Sequence, residues 1–314
     1  SIPFKSHTIS SSPALIDKAG YRHFMEKEIY EQPDAISYTI SSMSDEDGGL
    51  RGNLSNDELK SIKRIVIIAA GTSFYAGLIG RYWIEKMCNL NVSVEIASEY
   101  RYRNPSVDGF STAIAITQSG ESLDTLMALR HASENGLKTM AIVNVLESTI
   151  AREVDFILPT RAGPEIGVAS TKSFTSQLIV LLSLAVSLGK IRGILKDKDL
   201  LEIKEKILSL PRTIGETLNL FEEIKVIANK VSQSNSCLFL GRGVLYPIAL
   251  EAALKLKELS YIHAEGFAAG EMKHGPIALI EKNLPVICFL DDNEISIKTS
   301  SNLREAEARG AKII

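Results

Sequence analysis

The chain is poor in cysteine. Only Cys88, Cys237 and Cys288 occur in 314 residues, far apart and odd in number. That excludes a disulfide framework and matches no metal-ligand spacing. Three reduced thiols in or near a core are expected, and no metal or cofactor. An excess of basic charge is also lacking: 35 Lys and Arg against 38 Asp and Glu leave a net charge of −3. A nucleic-acid partner, which needs a basic face, is therefore not expected. Long apolar runs are missing too. The longest, residues 178–188, contains serines and is too short to span a bilayer. No charged-then-apolar leader opens the chain, so neither a membrane anchor nor secretion is expected, and the cytoplasm is the expected compartment. The first residue is Ser1 rather than Met, as in a piece of a longer protein. The rest is ordinary: 45% hydrophobic and 23% charged, with length for two core-forming units.

Residues 1–60 are mixed. Ser10-Ser11-Ser12-Pro13 reads as linker, 21–31 as a charged helix stopped by Pro33, and 44–57 as an acidic loop. Strands and helices then alternate. Apolar runs at 64–70, 92–97, 112–117, 138–144 and 154–158 read as strands, and 73–87, 122–135 and 172–188 as helices. Such alternation argues for a parallel sheet covered on both faces. Amphipathic stretches follow at 197–209 and 213–232. The alternation restarts with a strand at 236–241, a helix at 247–260, a strand at 284–290 and a helix at 295–309.

The restart reads as a repeat. IIAAGTSFY (67–75) lines up with LFLGRGVLY (238–246), and ASEY (97–100) with AEGF (264–267). The fold class is therefore α/β. Two homologous subdomains are expected, each a parallel sheet flanked by helices in three layers. The division is 1–60 as an N-terminal linker and helical segment, 61–195 as the first subdomain and 196–314 as the second, truncated at its C-terminus.

TQSGES (117–122) stands between an apolar strand and a helix. A strand-to-helix turn in a parallel sheet lies at the edge where ligands bind. The helix start adds unpaired N–H groups and the positive dipole end, which together suit an anion. Gly120 lets the backbone approach, while Thr117, Ser119 and Ser122 add hydroxyls. Three free oxygens make a phosphate a better match than a carboxylate; the alternative is that Ser119 or Ser122 serves only as an N-cap. Gly71-Thr72-Ser73 and Ser170-Thr171-Lys172-Ser173 repeat the chemistry at two further helix starts. The matching turn of the second half, Asp291-Asp292-Asn293-Glu294, would repel a phosphate. The second half carries ionisable groups instead. Glu251, Lys255 and Glu258 share one helix face, either as a solvated ion-pair surface or as proton-handling groups. His274 lies in the glycine-rich GEMKHGP, suited to proton transfer near neutral pH or merely a loop residue.

HFMEKEIYEQP (23–33), GTS (71–73), QSGES (118–122), EIGVASTKSFTSQL (165–178) and ALKLKELSYIHAEGFAAGEMKHGPIALI (253–280) closely resemble one family. It is the isomerase part of the glucosamine-6-phosphate synthases, the glutamine–fructose-6-phosphate aminotransferases, built of two sugar-isomerase (SIS) domains. The resemblance covers essentially the whole chain. It implies fructose 6-phosphate as substrate and glucosamine 6-phosphate as product. The phosphate would rest on Thr117, Gln118, Ser119 and Ser122, with Gly71, Thr72 and Ser73 holding the sugar and Val168 and Ser170 lining it. Glu258 matches the carboxylate that moves a proton between C1 and C2, and Lys255 a lysine assisting beside it. His274 matches a ring-opening histidine supplied by the neighbouring subunit of a homodimer with shared sites.

Three departures stand out. Ala70 occupies a position where many members carry cysteine. No glutaminase half is expected in this chain, since no cysteine precedes Cys88; in the whole enzyme that half releases ammonia from glutamine. The chain ends at Ile314 on entering a strand, so the tail lysine that the resemblance implies as the imine-forming nucleophile is expected to be missing. The alternatives are a stand-alone SIS-class isomerase or deglycase, and a sugar-phosphate-sensing module without chemistry. EIYEQP favours a synthase over the first. Glu258, Lys255 and His274 together argue against the second.

Overall fold

The structure is a computed structural model that describes residues 17–45, 49–52, 54–106 and 108–314. The expected Ser10–Pro13 linker lies outside these residues, as do parts of the 44–57 loop. Three short helices come first: α1 (Phe24–Tyr30), α2 (Gln32–Met43) and α3 (Asn56–Ser61). Helix α2 departs from the expected pattern. Pro33 follows the end of α1, but it also sits in the first turn of the next helix, where its missing N–H costs nothing.

The first sheet follows as β1 (Arg64–Ala69), α4 (Gly71–Cys88), β2 (Asn91–Ile96), α5 (Ala97–Tyr100), β3 (Ser111–Thr117), α6 (Leu123–Glu134), β4 (Lys138–Val143), α7 (Thr149–Glu153), β5 (Phe156–Pro159) and α8 (Lys172–Ile191). All its strands are parallel, in the order β2-β1-β3-β4-β5. Alternate residues divide between two cores. Ile65, Ile67, Ile114, Ile116, Met140 and Ile142 pack on one face with residues of α4 and α8. Val66, Ile68, Ala113, Ala115, Ala141 and Val143 pack on the other with α6 and α7. Helix α8 has the length and hydropathy of a membrane span, longer than the apolar run read from the sequence. Two thirds of its apolar window (67%) is buried within the fold, as in a core helix.

The amphipathic segment folds as α9 (Asp197–Leu218) and α10 (Phe221–Val231). Helix α9 runs through Pro211 instead of stopping before it. Ile207, Leu210 and Ile214 lie on one apolar stripe against α2 and α8, and this packing offsets the lost backbone bond. The second sheet comprises β6 (Ser236–Gly241), α11 (Leu245–Ser260), β7 (His263–Ala268), two 3-10 turns (Ala269–His274 and Pro276–Leu279), β8 (Pro285–Cys288), α12 (Glu294–Ala308) and β9 (Lys312–Ile313). Its order, β7-β6-β8-β9, is again all parallel. The two sheets thus start from the same plan.

One repeat match needs correction. Register pairs Ile96 with Ala69 and Phe267 with Leu240, so with 67–75 matched to 238–246 the equivalent of Ala97 is Ala268. AEGF (264–267) therefore lies inside strand β7, four residues earlier than the equivalent of ASEY. Cys88 and Cys237 are buried thiols and Cys288 is half-buried, all unpaired; burial pushes the first two up to about 12.

Candidate functional site

Strand order reverses between β1 and β3. Helix α4 leaves β1 toward one face and α6 leaves β3 toward the other, so a crevice opens beyond their C-terminal ends. A cavity of about 190 Å³ lies there, lined by Thr72, Ser73, Thr117, Gln118, Ser119, Ser122 and Ser170 among others. Residues from three separate turns thus meet in one place.

The turn after β3 is built for close approach. Thr117 Oγ1 accepts from the Gly120 N–H at 3.2 Å, and Ser119 Oγ accepts from the Glu121 N–H at 3.2 Å. Gly120 has φ +67°, and a Cβ there would lie 1.9 Å from Ser148 Oγ, so only glycine serves. Ser122 occupies the N-cap position of α6 but makes no side-chain capping bond. The alternative of a mere N-cap therefore does not describe it, and its hydroxyl is left to the cavity. Glu121 accepts from the Thr149 N–H at 2.8 Å; that bond holds its carboxyl below the usual range and ties its charge to α7. At the first turn, Gly71 opens α4 with φ +53°, and Ser73 Oγ accepts from Gln177 Nε2 at 3.0 Å.

The third turn differs from the other two. Glu165 accepts from the Thr171 and Ser173 N–H groups at 2.9 and 3.2 Å and from Ser170 Oγ at 2.9 Å. The start of α8 already holds a carboxylate, so an anion would rest on α4 and α6, with Ser170 as wall. In the second subdomain, Asn293 caps α12 by accepting from Ile295 N–H at 2.7 Å, and Asp291 Oδ1 takes the Ser296 hydroxyl at 2.7 Å. That acidic turn is spent on local bonds.

Helix α11 packs on α4 and brings its charged face to the same crevice. Lys255 Nζ donates to Thr72 Oγ1 at 2.9 Å, and Thr72 Oγ1 donates to Glu251 Oε1 at 3.0 Å. Lys255 also pairs with Glu258 at 2.7 Å and Glu251 at 3.4 Å. The side chains of Glu251, Lys255 and Glu258 are 8%, 19% and 34% exposed. This is a subdomain interface, not the solvated ion-pair surface that helical spacing also allowed. Glu251, absent from the expected site residues, is the most buried of the three, and its Oε2 has no hydrogen-bond partner. Burial pushes its carboxyl up to about 7 against the lowering effects of Lys255 and the Thr72 hydroxyl, with a further rise from Glu258. Its i, i+4, i+7 spacing with Lys255 and Glu258 was the available signal; the helix that covers it was not.

Two expected residues lie apart. Val168 is 89% exposed and lines a neighbouring apolar groove with residues of α1 and α10. His274 is exposed at the end of its 3-10 turn, and this chain does not bring it to the crevice. Among the described residues, no three His, Cys, Asp or Glu side chains group as a metal site.

The raised Glu251 carboxyl has a measurable consequence. Between its ordinary value near 4.5 and about 7, the folded chain holds a proton that the unfolded chain releases. Stability must fall as pH rises through that window, by up to roughly 3 kcal/mol. Urea unfolding at pH 5 and pH 8 should show this loss in the parent and its removal in Glu251→Gln. Equal pH dependence in both would show an ordinary carboxyl.

Two parallel sheets of one plan, with a hydroxyl-lined turn at the switch point of the first, define an α/β protein of the SIS class. The SIS domain family matches residues 58–187 and 230–314. The isomerizing glutamine–fructose-6-phosphate aminotransferase of Bradyrhizobium diazoefficiens is 50% identical over 308 residues, covering 97% of this chain and 50% of that one. The enzyme of the same name from Zymomonas mobilis is 46% identical over 305 residues, with the same coverage. The solved C-terminal domain of glucosamine-fructose-6-phosphate aminotransferase from Francisella tularensis superposes with a TM-score of 0.91 at 45% identity, over 95% of this chain and 84% of that one. The chain belongs to the isomerizing glutamine–fructose-6-phosphate aminotransferase family, of which it represents the C-terminal, isomerase half. It spans about half the length of the relatives it matches.

Proposed function

We propose that the chain carries the sugar-phosphate chemistry of such an aminotransferase: fructose 6-phosphate and glutamine-derived ammonia become glucosamine 6-phosphate. A glutaminase domain of the full-length protein would supply the ammonia. One observation carries this reading. Thr72, in the wall of the hydroxyl-lined crevice, is hydrogen-bonded to Lys255 and Glu251 of α11, so an anion site and a proton-handling face adjoin.

The phosphate would sit on Thr117, Gln118, Ser119 and Ser122, against the N-terminal turns of α4 and α6. Gly71, Thr72 and Ser73 would hold the sugar, with Ser170 and Val168 beside it. Glu258 would take a proton from C1 of the ketose imine and return it to C2, a task that suits a carboxylate beside an activated carbon. Lys255, 2.7 Å away, would stabilise its charge. The division into an N-terminal segment to residue 60, a first SIS subdomain at 61–195 and a second at 196–314 is part of the same proposal. So is the cytoplasm as compartment, which three unpaired thiols suit.

His274 would serve the partner's sugar in a homodimer with shared sites; its exposure, and the lining of its own crevice by other residues, support this. The test is subunit exchange in the full-length gene product. Glu258→Gln and His274→Ala homodimers should each be nearly inactive in glutamine-dependent glucosamine 6-phosphate formation. Mixed dimers with one intact site should recover roughly a quarter to a half of the activity expected per dimer. No recovery after verified exchange would refute site sharing, and no amino sugar from the parent would refute the function.

A further inference from the structure

We infer that Glu28 of α1 is a positioning residue for the sugar site, holding the 165–171 loop in place from below; this rests on the function proposed above. KEIYEQ falls at the end of the stretch that reads from sequence as a charged helix, yet Glu28 is 2% exposed. Its carboxylate Oε1 accepts from the Ile166 N–H at 2.6 Å and the Gly167 N–H at 3.1 Å, and Oε2 accepts from the Gly167 N–H at 3.1 Å. Among the described residues, no cationic side chain bridges to it. A buried carboxylate is costly unless its oxygens are satisfied, and here two backbone N–H groups of one loop satisfy them. One turn further along α1 and its end, Glu31 pairs with buried Lys172 at 2.7 Å, which fixes the loop's far end where α8 begins.

The loop between these two anchors carries Val168 and Ser170. Ser170 lines the crevice, and its hydroxyl is turned onto Glu165, so its place depends on the loop path. Gly167 is fitted to α1 as closely as chain geometry allows. A Cβ there would lie 2.5 Å from Glu28 Oε2 and 3.2 Å from Met25 Cα. The contact is thus specific on both sides. The side-chain hydrogen bonds of the turns after β1 and β3 involve no residue of α1. Loss of the Glu28 anchor should therefore act on recognition of the sugar and leave the phosphate turns intact.

The test compares two ligands by calorimetry, with amide exchange as a second readout. Glu28→Ala should weaken fructose 6-phosphate about tenfold or more while inorganic phosphate, competed against it, changes by less than about threefold; the Ile166 and Gly167 amides should exchange faster. Glu28→Gln keeps one oxygen to accept both N–H groups but sets its amide NH2 beside the Gly167 N–H in place of Oε2, and should restore affinity only in part, to a loss clearly smaller than that of Glu28→Ala. Gly167→Ala needs no unusual backbone angle and leaves α1 intact, so it displaces the loop from the other side and should reproduce the Glu28→Ala pattern. Equal losses for both ligands, or unchanged fructose 6-phosphate affinity despite faster loop exchange, would overturn the positioning role. Ser119→Asp tests the phosphate site itself, so failure of the underlying function is told apart from failure of the anchor.

Discussion

Ser119→Asp should weaken fructose 6-phosphate binding roughly a thousandfold. Two unit charges about 4 Å apart at an effective dielectric constant near 20 repel by about 4 kcal/mol, and 1.4 kcal/mol is about tenfold in affinity. Ser119 stands in the turn that faces the crevice, between Gln118 and Gly120, and lines the cavity. The substitution is gentle on the fold. Ser119 accepts one bond, from the Glu121 N–H two residues on, and an aspartate carboxylate accepts from the same position in an Asx turn. What changes is the sign of the charge presented to the ligand. Ser119→Ala is the control, losing one hydroxyl and about fivefold to tenfold of affinity. Titration calorimetry with fructose 6-phosphate reads both. An Asp variant that binds as well as the parent would mean that the anion rests elsewhere, and with it the assignment of Thr117, Gln118 and Ser122 would fall.

Much of the fold was legible because its central strands are short apolar runs ended by turn residues. Ile65, Ile67, Ile68 and Ile114 are buried from both sides, which leaves a continuous hydrophobic signature. Strand β7 escaped notice because it lies at a sheet edge and reads HAEGFA, with a glycine inside and only Ala264 buried. Helix α2 was missed because a proline that ends one helix also starts the next. The hydroxyl turns were readable from composition and position alone. Their unequal use was not. Glu165 caps α8 from six and eight residues away, and only the folded loop brings it there. The face of α11 was ambiguous for a related reason. Helical spacing groups Glu251, Lys255 and Glu258, but burial depends on α4, nearly two hundred residues earlier. The charged α1 misled in the same sense, since its Glu28 is buried by a loop far along the chain.

Glu258→Gln should slow amino-sugar formation by about a hundredfold to ten-thousandfold, the usual worth of a positioned general base, with little change in KM. The proposed phosphate contacts lie on the first subdomain, and Gln keeps the size of Glu. Glu258 is the better base of the two carboxylates on geometry. It is a third exposed and pairs with Lys255 at 2.7 Å, whereas Glu251 is sealed behind Thr72, whose hydroxyl donates to it. A group that trades protons with a bound sugar must be reachable; one that tunes its neighbours need not be. Glu251→Gln should therefore cost less rate and instead shift the pH profile, because the carboxyl held up to about 7 changes charge within the working range. Lys255 would then lose one anionic neighbour and keep Glu258. Solvent deuterium exchange into C1 and C2 of the sugar, followed by NMR in the full-length gene product, separates proton transfer from ammonia delivery. Exchange should be lost in Glu258→Gln and retained in Glu251→Gln, with both variants binding fructose 6-phosphate normally. The opposite pattern would assign the proton transfer to Glu251 and make Glu258 the partner that holds Lys255 in place.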